Sequence, residues 1–69
     1  MTKKQALLLA VKYSTDFRNP SGVVRKKKGE YAYVTTRVCV DYQLKKKNLL
    51  YKIEWIGGLQ VLVTKINKP

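Results

Sequence analysis

Histidine is absent from this 69-residue chain, and it has one cysteine, four acidic residues and two prolines. Without histidine the usual acid–base group near neutral pH is missing. Cys39 alone closes no internal disulfide, and with no histidine to join it, it anchors no zinc site. Small secreted domains generally depend on such staples. The chain therefore reads as intracellular, cytoplasmic or nucleoid-associated. No apolar run approaches the roughly eighteen residues of a membrane span. Ala6–Val11, behind Met1-Thr2-Lys3-Lys4, imitates the core of a signal peptide, but it is short and no A-x-A cleavage site follows. Asn19-Pro20-Ser21 is not a glycosylation sequon, because proline fills the middle position. No P-loop, dinucleotide fingerprint or metal-ligand spacing occurs. The acids are Asp16, Glu30, Asp41 and Glu54. Of these only Asp41 and Glu54 are expected near each other, with Lys52 between them, which disfavours a carboxylate pair of raised pKa. The expectation is a protein that is not an enzyme and holds no metal or cofactor.

What is abundant is positive charge. Lys and Arg number 15 against the 4 acids, a net charge of +11. Such an excess repels itself and is normally tolerated because a polyanion neutralises it. A surface made basic only for solubility would mix both signs. The apolar fraction of 45% is that of a folded protein. A single domain over residues 1–69 is expected. At this size it buries roughly 60% of its unfolded surface and has no room for a deep active-site cavity.

The first segment reads as a helix from about Lys3 to Ser14. Thr2-Lys3-Lys4-Gln5 fits a capping box. Ala6, Leu9, Ala10 and Tyr13 form one stripe, widened by Leu7 and Val11. Lys3 and Lys4 sit where the helix dipole disfavours cations, which points to an outside anion such as phosphate. Phe17–Gly22 reads as a loop with two breaker pairs, Asn-Pro and Ser-Gly.

The remainder reads as β-structure. Val23–Lys27 is a strand and Lys28-Gly29 a tight turn. Tyr31–Leu44 is one long alternating strand, rich in β-branched and aromatic residues. Lys45-Lys46-Lys47-Asn48 is a turn, Leu49–Ile56 a strand, and Gly57-Gly58 a two-residue hairpin loop leading into Leu59–Ile66. These turns set a register. Val34, Val38, Val40, Tyr42, Tyr51, Ile53, Trp55 and Leu62 share an apolar face. Tyr31, Tyr33, Thr35, Arg37, Cys39, Asp41, Lys52, Glu54, Val61, Val63 and Lys65 share the other, with Asp41 opposite Lys52 as an ion pair. The fold class is α+β: one N-terminal helix packed on a three- to four-stranded antiparallel meander. The alternative is a small SH3-like or OB-like β-barrel with an N-terminal helix.

Function follows from the basic runs. Lys26, Lys27 and Lys28, and again Lys45, Lys46 and Lys47, are long cations on turns with little packing duty, suited to nucleic-acid phosphates. A lone lysine turn would more often be a solvated loop or a guard on a strand edge. Two runs with almost no compensating acid shift the balance. Tyr31, Tyr33 and Arg37, alternating on the outer face, are candidate base or sugar contacts. The expectation is a small DNA- or RNA-binding protein with weak sequence discrimination. The rival reading is a viral or mobile-element interaction protein, an inhibitor, that docks on an acidic protein surface. A structural part of a ribonucleoprotein or virion stands third. Val61 and Val63 on the outer face are a candidate homodimer contact. No membrane role is expected, because the helix carries no full basic face.

Overall fold

Thr2 opens the first helix through the capping box its sequence encodes. Thr2 Oγ1 accepts from the Gln5 N–H at 3.1 Å, and Gln5 Oε1 accepts from the Thr2 N–H at 3.0 Å. The helix, α1, runs Lys3–Phe17 and stops at Arg18, a left-handed residue whose N–H donates to the Ser14 carbonyl at 2.9 Å. The structure, a computed structural model, describes residues 1–66. After α1 come β1 (Ser21–Lys27), β2 (Glu30–Thr35), α2 (Arg37–Lys45), β3 (Leu49–Gly57) and β4 (Gln60–Lys65).

The four strands form one antiparallel sheet in the order β2-β1-β3-β4. The α+β class is as expected, and the sheet is open at β2 and β4 rather than closed into a barrel. The strand order is not sequential, because β1 lies between β2 and β3. Both of these run antiparallel to β1, so they are parallel to each other and need a crossover. That crossover is α2.

The expected strand Tyr31–Leu44 is therefore corrected. It breaks at Thr36, whose backbone (φ 70°, ψ 150°) is a rare conformation for a β-branched residue. Thr36 Oγ1 accepts from the Cys39 N–H at 3.4 Å and caps α2. Val38, Val40 and Tyr42 leave the sheet with it. Only Val40 of α2 is buried, while Val38 and Tyr42 are exposed. Cys39 and Asp41 are exposed on the same helix, so the Asp41–Lys52 ion pair does not form. Lys52 Nζ instead lies 3.0 Å from Glu54 Oε1, two residues along β3.

The second hairpin slips by one residue from the expected register. Ile53 faces Val63 and Tyr51 faces Lys65, because the loop is Gly58-Leu59 and Gly57 belongs to a bulge. Gly57 (φ 147°) and Gly58 (φ 55°) hold conformations that a side chain would oppose. The Trp55 indole N–H donates to the Gly58 carbonyl at 2.9 Å and ties the turn to β3.

Cross-strand partners share a face, so the pairings settle both sides of the sheet. Towards α1 point Ser21, Val23, Tyr31, Tyr33, Tyr51, Ile53, Trp55, Val61 and Val63. Here Ala6 and Ala10 of α1 pack on Val23 and Ile53, all fully buried, flanked by Leu7, Val11, Tyr31, Tyr51 and Val61. Towards α2 point Gly22, Val24, Ala32, Val34, Lys52, Glu54 and Leu62. A second core of Val24, Val40 and Leu49, with Ala32, Val34 and Ile66 beside it, seats α2. The sheet thus lies between two helices. Each fully buried Val, Leu or Ile contributes roughly 1.5–3 kcal/mol. Val61 is half-buried against the core beneath α1 and Val63, on the same side of the sheet, is exposed, so the two lie on the α1 side and not on the expected outer face.

Candidate functional site

The β1–β2 hairpin carries its basic run into the solvent. Arg25, Lys26, Lys27 and Lys28 are all exposed, and the turn falls at Lys28-Gly29. Lys27 Nζ reaches Glu30 Oε2 only at 4.0 Å, with the lysine 77% exposed, so that pairing leaves its charge in water.

The second basic run ends α2. Lys45 closes the helix, Lys46 is its C-cap, and Lys47 follows at φ 63°. The Asn48 N–H donates to the Gln43 carbonyl and the Lys47 N–H to the Leu44 carbonyl, both at 3.0 Å, which is a Schellman closure. Cations there also complement the negative end of the helix dipole. Local structure thus gives these lysines a task of their own, yet all three side chains remain exposed.

Part of the first run lines a cleft of about 430 Å³. Its lining includes Arg25 and Lys26 from the hairpin and Gln43 and Asn48, which flank Leu44–Lys47 in the chain. Val24, Ala32, Tyr33 and Val34 complete the lining, and Val24 belongs to the core that holds Val40 and Leu49.

The other expected contacts are arranged differently. Tyr31 packs against the helix α1, where Lys3 Nζ lies 6.0 Å from its ring centre. Lys3 thus has a partner inside the fold at a position that had suggested an outside anion. Tyr33 also points to the α1 side, at the edge strand, where it is exposed and touches both the cleft beside Arg25 and Lys26 and the surface of α1. Arg37 opens α2 and is exposed, away from the strand shared by the tyrosines. Another aromatic ring in solvent beside a cation is Tyr42, 55% exposed, with Lys46 Nζ 5.1 Å from its centre. Alternation had assigned it to the core. The helical spacing Tyr42–Lys46 was the available signal.

A different surface runs along α1. Leu8 and Phe17 are exposed (61% and 63%), the Tyr13 and Phe17 rings lie 4.9 Å apart, and a shallow groove among Leu9, Lys12, Tyr13, Asp16, Phe17 and Tyr33 follows them. Among the described residues there is no cluster of three or more His, Cys, Asp or Glu able to hold a metal, and no helix long and apolar enough to cross a membrane. No protein-family model matches the chain, and neither a curated protein nor a solved structure matches it.

Proposed function

We propose that this protein is a non-enzymatic nucleic-acid-binding module of the cell interior, which meets phosphates through the lysines of its two basic runs. The observation that carries this reading is a pair of fully exposed basic runs, Arg25–Lys28 and Lys45–Lys47, the first of which lines a cleft through Arg25 and Lys26, in a chain of net charge +11. Contacts of this kind go to the backbone and carry little sequence information, so discrimination between sequences is weak. Tyr42 supplies the exposed ring for a base or sugar.

The test is a salt series with duplex DNA, single-stranded DNA, RNA and heparin. If five or six lysines meet phosphates, log affinity for duplex DNA falls with log salt at a slope of roughly −4 to −6. Changing Lys45, Lys46 and Lys47 to Gln lowers that slope by about three and leaves Tm nearly unchanged. Binding to heparin alone, or a slope near zero, rejects the reading.

The second reading is a small interaction protein with an acidic protein partner. It is favoured by the exposed Leu8 and Phe17 on α1, with the half-buried Tyr13 against Phe17. Loss of a partner through Leu8→Ser with Phe17→Ser, and not through the lysine changes, would select it.

A further inference from the structure

We propose that the cleft between the β1–β2 hairpin and the end of α2 takes one unpaired base of a single-stranded nucleic acid. The proposal rests on the nucleic-acid reading above and adds the form of the ligand. A site that only tracks phosphate needs charge and reach. This cleft has in addition an apolar floor, Val24, Ala32 and Val34 with Tyr33 beside them, and a volume of about 430 Å³. Pockets for small organic ligands run from about 300 to 1,000 Å³ and combine apolar walls with a few placed polar groups. Here the placed groups are two amides. Asn48 Nδ2 lies 3.4 Å from Gln43 Oε1, and the bond between the Asn48 N–H and the Gln43 carbonyl holds the two residues side by side.

One amide donating to another leaves the pair with a free carbonyl oxygen and free N–H groups. That combination matches the edge of a nucleobase, which presents donors and acceptors next to each other. Arg25 and Lys26 line the cleft beside these groups, and the exposed Lys46 and Lys47 precede Asn48 in the chain. A strand crossing the cleft would place a base inside and its phosphates against these cations. Duplex bases are stacked and paired, so a duplex meets the cations alone.

The experiment measures affinity of the full chain for an oligothymidylate and for an abasic strand of the same length, which keeps every phosphate and lacks bases. The wild-type protein should favour the base-bearing strand roughly tenfold or more. Ala32→Leu, which fills the floor, and Gln43→Leu, which removes one amide, should each abolish that preference. The slope against salt should stay as it was, because no cation is lost. Gln43 is only partly buried, so its variant tests the cleft even where the Ala32 variant is poorly folded. Equal affinity of the wild-type protein for the two strands overturns the base site and leaves phosphate binding standing. A preference that survives both substitutions overturns it as well, since the base would then be held elsewhere. No binding to any strand at low salt overturns both this proposal and the reading beneath it.

Discussion

The hydroxyl oxygens of Ser14 and Ser21 lie 2.6 Å apart, both fully buried where α1 meets β1. Ser21 Oγ also donates to the Ala10 carbonyl at 2.7 Å. A hydroxyl has a single proton, so Ser14 is the donor in the pair. The two serines pin the C-terminal half of α1 to the first strand. Among the described residues no buried side-chain polar atom lacks a partner. Ser21→Ala should cost about 1–3 kcal/mol, because it strips Ser14 of its acceptor in a site closed to water. The denaturant midpoint measures this, and an unchanged midpoint would mean that the Ser14 hydroxyl simply turns back to its own helix.

Gly22 is a close approach between β1 and β3. A Cβ there would lie 2.5 Å from Leu49 Cδ1 and 3.0 Å from the Tyr51 carbonyl oxygen. Gly22→Ala should destabilise the fold by about 1–3 kcal/mol. Part of the clash is with a movable side chain, so Gly22→Ala combined with Leu49→Ala should cost less than the sum of the two single changes. Strict additivity in a double-mutant cycle would assign the strain to the Tyr51 backbone alone.

Lys47 holds a left-handed backbone at φ 63°, a conformation that costs a residue with a side chain on the order of 1 kcal/mol. Lys47→Gly should therefore raise Tm. If the side chain meets a phosphate, the same change should also make the salt slope for nucleic acid less steep by about one. A higher Tm with an unaltered slope would remove Lys47 from the binding surface and leave its neighbours in place.

Val40 is the single fully buried anchor of α2, whereas Ile53 lies in the core under α1. Ile53→Ala should cost about 2–5 kcal/mol and lower the protection of the whole sheet. Val40→Ala should act more locally, with amide exchange rising in Arg37–Lys45 well before it rises in α1. Uniform loss of protection in the Val40 variant would mean that α2 unfolds only with the rest.

Some of this was legible in the residues. The capping box at Thr2 uses short-range bonds that sequence spacing alone specifies, and α1 starts where it should. Its end extends to Phe17, past the expected Ser14. The helix α2 was hidden, because Val38, Val40 and Tyr42 fit a period of two as well as any strand, and its one buried contact leaves no helical stripe. What decides for helix is remote: β1 takes the place beside β3 that a meander would give to β2. The hairpin error had a similar source. Two adjacent glycines permit either loop position, and the Trp55–Gly58 bond belongs to the Gly58-Leu59 loop that forms. That one-residue difference moved Val61 and Val63 to the other face. The lysine runs were legible as residues, but the cleft that Arg25 and Lys26 share with Gln43 and Asn48 depends on the crossover and was not.

The position of β1 in the sheet has a kinetic side. The pairs β1–β2 and β3–β4 each join across a tight turn, while the β1–β3 seam joins residues as far apart in sequence as Ser21 and Ile53. Either hairpin can zip locally, on the order of 1–10 μs. The seam has to wait until the chain between them has closed its loop, at an entropic cost that local contacts do not incur. That seam also carries a bulge between Val23 and Val24 and the crowded Gly22. Chains caught before this step would hold two finished ribbons whose inner edges are both unpaired, and such edges are where one polypeptide recruits another. The strand that unites the sheet is thus also the place where a slow-folding population would aggregate.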